Sequence, residues 1–260
     1  SLRSPIIASL GFKNQVVLLI AYGSTSKSPS FLSVMPRKVE DIVVRLAAEK
    51  RVVMIGGLAV IAHGLSRATK DVDVWLDPTP GVEKWLSSIQ SLIAPPERIV
   101  TLPGWKGLDS TDLLENVENV GMVRVEGLDM PLGLFFRPNG LRVDEFERVW
   151  SDATSMEDGT MLPSLLDLLC TKEETNRKRD FTDASFLIGM AREQQGKKLS
   201  SAQSTDEAKS LMDAFFDHSV LAQGLENPLP KIREVIWREV ENLAIDGDPF
   251  AKEMLEERGG

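Results

Sequence analysis

From Pro36 to Glu49 the apolar residues Val39, Ile42, Val43, Leu46 and Ala47 recur at helical spacing, which predicts an amphipathic helix. "RVVMI" (Arg51–Ile55) follows as a short, mostly apolar run and predicts a buried strand. Two glycines break it, and "LAVIAHG" resumes as a short helix that Gly64 closes. "DVDVWLD" (Asp71–Asp77) mostly alternates and predicts a second strand. "PTPGVEKWLSSIQSLI" turns into a helix with Val82, Trp85, Leu86, Ile89 and Leu92 on one face, so Trp75 and Trp85 are expected in the core. Pro and Gly punctuate the stretch from Ala94 to Ser110. Past it, "NVGMVRVEGL" and "MPLGLFF" predict two strands about a turn, and "VDEFERVW" a short helix.

From Gly159 to Gln195 the pattern predicts a long helical region. Ser164 and Asp167 stand near its start at the spacing of a capping box, with Asp in place of the usual Glu or Gln. Its polar middle, "TKEETNRKRD", is where a bend would fall, and helical patterning returns from Ser201 onward. The organisation read from this is an α/β unit over residues 35–155 and a helical part over 156–260. Residues 1–34 read as an extension, a remnant or a loose arm; the apolar run "VVLLIAY" with Arg3 and Lys13 before it gives them the outline of a signal peptide.

Composition narrows the function classes. Apolar residues make up 42% of the chain and charged residues 27%, the balance of an ordinary globular protein. A net charge of −9 argues against broad binding to nucleic acid, although "NRKRD" (Asn176–Asp180) could form a local basic patch. No apolar run reaches the roughly 20 residues that span a bilayer, so no membrane role is expected. The single cysteine, Cys170, excludes an intramolecular disulfide and, inside "LLDLLC", is expected to be buried. With only His63 and His218 beside it, a zinc site would need carboxylates. A reducing, cytoplasmic compartment fits this usage.

The candidate chemistry lies in "VVMIGGLAVIAHGLSRATKDVDVWLD" (Val52–Asp77). Asp71 and Asp73, two apart on a strand, project from one face and invite a divalent cation; Mg²⁺ is commonly held by one or two carboxylates together with substrate phosphates. Gly56 and Gly57 sit where strand gives way to helix, where a ligand can approach the backbone and unpaired amides face an anion. Arg67 either clamps a phosphate or pairs with a neighbouring acid. His63, at a helix end before Gly64, is expected to hold a structural hydrogen bond and not to act as a base. This order of features suits phosphoryl or nucleotidyl transfer.

The residues Gly56, Gly57, Ala59, His63, Gly64, Arg67, Thr69, Asp71 and Asp73 resemble the core motif of the DNA polymerase β-type nucleotidyltransferase superfamily. The likeness is greatest to its minimal bacterial group, which includes the AbiEii-like toxin nucleotidyltransferases. "PSLLDLLCTKEETNRKRDFTDASFL" resembles the later helix of that family, placing Lys172, Arg177, Arg179, Asp180 and Asp183 in its pattern. The resemblance spans about Pro36 to Leu187. It implies a small mixed sheet flanked by helices with a helical C-terminal part, phosphates held at Gly56 and Gly57 with Thr69 nearby, Mg²⁺ held by Asp71 and Asp73, and Lys172 reaching toward the triphosphate. Arg179, Asp180 and Asp183 form either part of that site or an ion-pair network tying the two halves together.

The chain departs from the family at one point. Active members carry a third acid on a later strand, and counting back from "FERVW" lands on Gly133; Asp129 or Glu126 would substitute in another register. Two readings follow. One is transfer of a nucleoside monophosphate from Mg–NTP to a hydroxyl of an RNA, a protein or a small molecule. The other is a catalytically impaired nucleotide-binding module working with an antitoxin-like partner in a toxin–antitoxin pair. A third, a purely structural or interaction protein, requires Asp71 and Asp73 to lie on a flat, solvated face.

Overall fold

The computed structural model describes residues 36–173 and 178–259, so the expectations for residues 1–34, for Arg177 and for a bend at 174–177 lie outside it. Helix α1 (Val39–Glu49) leads into strand β1 (Val52–Ile55), α2 (Gly56–Ala62), β2 (Val72–Leu76) and α3 (Val82–Gln90). Then come β3 (Arg98–Val100), α4 (Ser110–Val120), β4 (Met122–Glu126), β5 (Leu132–Phe135), α5 (Phe146–Asp152), β6 (Thr154–Ser155) and β7 (Met161–Leu162). The rest is helical: α6 (Leu165–Glu173), α7 (Lys178–Ser201), α8 (Thr205–Ala214), α9 (His218–Gly224), α10 (Pro230–Ile245) and α11 (Pro249–Gly259).

The strands form one mixed sheet in the order β3-β4-β5-β2-β1-β7-β6. β2 is antiparallel to β1 and parallel to β5, and β4 is antiparallel to both β5 and β3. The chain is thus an α/β protein with a mixed sheet flanked by helices and a helical C-terminal part: the patterning predicts the α/β unit and the helical part, and the resemblance implies the mixed sheet. β1 is buried at every position because it has a neighbour on each side and material on both faces.

Register decides which residues share a face. Val53 pairs with Trp75, Trp75 with Phe135, and Asp73 with both Ile55 and Gly133. Directly paired residues point the same way, so one face carries Val53, Ile55 and Trp75 at one end and Asp73 toward the other. Phe146 and Val149 of α5, with Leu141, cover the apolar end and make one continuous core with those three residues. Trp75 meets Phe146 edge to face at 5.0 Å between centroids and donates from Nε1 to the Phe136 carbonyl at 3.1 Å. Trp85 is likewise buried and donates to the Leu76 carbonyl. A second core gathers Leu199, Ala208, Val220, Leu221, Ile232, Ile236 and Val240 from the C-terminal helices.

Four expectations need adjustment, the first being the helical region expected from Gly159: it opens with strand β7, and α6 begins only at Leu165. β3 and α4 lie where no element was expected. α4 carries legible signals nonetheless: the Asp109 side chain accepts from the amides of Thr111 and Asp112, and Gly121 closes the helix at φ 80°. Ser164 does cap α6, accepting from the Asp167 amide at 3.1 Å, but the shorter Asp side chain takes the Ser164 hydroxyl instead of reaching back to its amide. Cys170 is exposed, not buried. Leu165, Leu168 and Leu169 form the inward stripe of α6 and leave position 170 on the outer side.

Candidate functional site: an acid pair facing a cluster of cations

β2 delivers Asp73 between two neighbours that lack side chains. A Cβ on Gly56 would stand 2.2 Å from its Oδ2, and a Cβ on Gly133 would stand 2.3 Å from its Oδ1. Real Cβ atoms never approach so closely, so the Asp73 carboxylate fills the space over both positions. Gly56 also has φ +65°, a conformation that a side chain would strain. Asp71, two residues earlier on the same face, accepts a hydrogen bond at Oδ1 from the Thr69 hydroxyl at 3.2 Å. Thr69 Oγ1 in turn would stand 2.5 Å from a Cβ on Gly57. The glycines thus let the start of α2 close against the acid-bearing strand.

The opposite wall comes from the helical half. Lys172 on α6 is 6% exposed and lies 3.1 Å from Asp183 and 3.4 Å from Asp180 of α7, which are 0% and 3% exposed. Arg67 donates from Nη2 to Asp183 at 2.7 Å, and Arg179 donates to the Ala68 carbonyl at 2.7 Å. These bonds tie the segment before β2 to α7. Of the two roles weighed for Arg67, the structure shows the ion pair. Asp183 Oδ1 and Arg67 Nε are buried without a hydrogen-bond partner, so the cluster is incompletely satisfied.

Together Gly57, Arg67, Thr69, Asp71, Asp73, Lys172, Arg179 and Asp180 line one open cleft of ≈ 70 Å³. Gly56 touches it through Asp73. The acid pair therefore does not lie on a flat face. At seven residues α2 is too short for a large dipole, so the positive potential comes from the three basic side chains. Three carboxylates and three cations share the lining. A bare cation would meet Lys172, Arg67 and Arg179, and a bare polyphosphate would meet Asp71, Asp73 and Asp180; a metal–phosphate pair satisfies both sets.

The structure keeps two candidates out of the cleft lining. Asp129 Oδ1 accepts from the amides of Val39 and Met130, capping α1, and Glu126 pairs with Arg98 at 2.9 Å. Gly133 itself lies directly beside Asp73 on the parallel strand β5. Among the described residues no group of three His, Cys, Asp or Glu comes together as a metal site. His63 bonds through Nε2 to the Pro163 carbonyl at 3.0 Å, and burial lowers its pKa below the usual 6.5. It joins α2 to the start of α6 and has no part in the cleft lining. Arg124, which pattern reading passed over, belongs to the same face: it is the β4 partner of Gly133. Its signal was its place beside a glycine, visible only once the strands are paired.

No helix among the described residues is long and apolar enough to cross a membrane. No family model matches the chain. No curated protein matches it either. Among solved structures, the chain is similar to one described as "Crystal structure of putative nucleotidyltransferase from H. pylori", at 18% identity and a TM-score of 0.36, over 78% of this chain and 93% of that one.

Proposed function

We propose that the chain is a nucleotidyltransferase that binds Mg–NTP in this cleft and transfers a nucleoside monophosphate to an acceptor hydroxyl. One observation carries the reading: Asp73 of β2 and Asp71 just before it face Lys172, Arg67 and Arg179 across a single cleft, although Lys172 and Arg179 lie about a hundred residues away in sequence. The motif resemblance through Gly56, Gly57, Asp71 and Asp73 agrees with it.

The donor set fits a hard divalent ion: two carboxylates on one strand face, with glycines on either side that leave Asp73 its space. Asp71 and Asp73 would hold the Mg²⁺, which when bound neutralises phosphate charge and polarises the reacting phosphoryl group. The chain's own groups do the positioning. Thr69 orients Asp71, and the backbone at Gly57 admits phosphate oxygens. Lys172 exchanges its carboxylate partners for phosphate as the nucleotide enters. The acceptor oxygen bonds to the α-phosphorus while the bond to the β-phosphate breaks, and pyrophosphate leaves with that electron pair. The Asp73 carboxylate, whose Oδ1 stands over Gly133 on the β5 side, would receive the hydroxyl proton.

The test incubates the protein with labelled NTPs, Mg²⁺ and RNA, protein and small-molecule acceptors, beside Asp71→Asn and Asp73→Asn. Transfer by the wild type alone is expected, and equal transfer by the variants would sink the assignment. Gly133 favours a second reading, a nucleotide-binding module of a toxin–antitoxin pair without turnover, because no third carboxylate stands beside Asp73. Calorimetry separates the two: Mg²⁺-dependent ATP binding with no transfer to any acceptor supports the module.

A further inference from the structure

Across the sheet, Asp73, Gly133 and Arg124 form one row of directly paired residues and so project from the same face. The phosphate-binding side of Asp73 is the side of Gly56 and Lys172. In-line transfer brings the acceptor from the opposite direction, the side of Gly133 and Arg124. The guanidinium of Arg124 lies 4.8 Å above the ring of Trp105, and its Nε is buried with no hydrogen-bond partner. It makes no ion pair among the described residues. The acid nearest on its own strand, Glu126, is taken by Arg98, and its partner on β3 is the apolar Val100. Trp105 is held at φ 53°, a left-handed conformation that strains a non-glycine residue, and strain of this kind gathers at ligand clamps.

We propose that Arg124, braced on Trp105, is an oxyanion subsite on the acceptor side of the Asp71–Asp73 pair, and that it takes a phosphate group carried by the acceptor. This rests on the nucleotidyl-transfer reading. A guanidinium presents a planar fork that matches two phosphate oxygens, and the stacked indole fixes the plane of that fork. Gly133 serves the arrangement, since an acid there would stand between Arg124 and Asp73 and cancel the positive charge. The missing third carboxylate thus accompanies a change in what the acceptor brings: its own negative charge beside the reacting hydroxyl.

The test follows the arginine Nε–Hε resonances of the ¹⁵N-labelled full chain, with the Arg124 signal assigned through Arg124→Lys. Methyl phosphate stands for a monoester, dimethyl phosphate for a nucleic-acid diester, and acetate is the control at equal ionic strength. A saturable shift of Arg124 with either phosphate is expected, and the responding probe identifies the source. Trp105→Leu should weaken it about tenfold. In transfer assays, the ratio of kcat/KM for a phosphorylated over a plain hydroxyl acceptor should fall by about 10–100-fold in Arg124→Gln, the range of a charge-assisted pair. A shift shared with exposed Arg98 and Arg142, a response to acetate alone, or none at all overturns the subsite. Mg–ATP calorimetry on the same samples keeps the two claims apart. ATP binding with a silent Arg124 sinks only the subsite, whereas no ATP binding sinks the transfer reading and the acceptor role with it.

Discussion

The two flanks of Asp73 are built on opposite terms. Toward β1 and the helical half, basic side chains are crowded against carboxylates and partly buried with them: Arg67 and Lys172 share Asp183. Toward β5 and β4 the charge thins out to a glycine and one arginine lying on an indole. The first flank has counter-ions in place and must exchange them when a ligand binds. The second offers a cation that lacks one among the described residues. A buried ion cluster is costly to break and worth little net stability, whereas an unpaired stacked guanidinium costs little to fill. The first flank ties β2's neighbourhood to α7 through shared carboxylates, and the second holds its arginine through an indole.

Changes at the acid pair test the premise of both flanks. Asp71→Asn or Asp73→Asn is expected to lower transfer by at least about 10²-fold and to remove the Mg²⁺ dependence of ATP binding, read by label transfer and calorimetry. Next in size is the latch of the first flank. Arg67→Ala leaves Asp183, which is fully buried, with Lys172 alone, and a loss of about 3 kcal/mol in denaturant unfolding is expected. If Arg67→Ala melts like the wild type, the first flank is not the structural one. On the second flank, Gly133→Ala puts a methyl where Asp73 Oδ1 lies. It should cost about 1–3 kcal/mol of stability, seen in the apo denaturation curve, and should weaken Mg²⁺-dependent affinity as Asp73 is displaced.

The smallest effect is in pH. His63 has a lowered pKa in the folded state, so the unfolded chain binds its proton more readily and folding is favoured when the ring is neutral. Stability should fall as pH drops below the ordinary histidine value of 6.5 and level off below the folded value. His63→Gln should flatten that portion of a melting-temperature profile.

What could be read from the chain alone was local. The apolar runs and their breaks locate β1, α2, β2 and α3, because a single strand or helix face repeats within a few residues. Asp71 and Asp73 share a face by alternation alone. Counting back from "FERVW" in the pattern of the family it resembles put Gly133 at the third acid's position; that this position pairs with Asp73 came only from the strand register. Arg124 was passed over for the converse reason: its relation to Asp73 crosses two strand pairings, and nothing in "GMVRVEG" announces a neighbour on another strand. Cys170 misled because an apolar run was read as uniformly inward, while α6 turns one side of it to solvent. Arg67 had two equal roles until Asp183, far along the chain, was brought against it.

That last contact has a consequence in time. Arg67 and Asp183 are 116 residues apart, so on a ribosome adding about 5–20 residues per second the acid pair waits on the order of ten seconds for its basic wall. A chain halted before α7 lacks Arg179 and Asp180 and carries only part of the cleft lining. Completion of the cleft lining is therefore tied to the synthesis of α7, which comes before the last four helices are made.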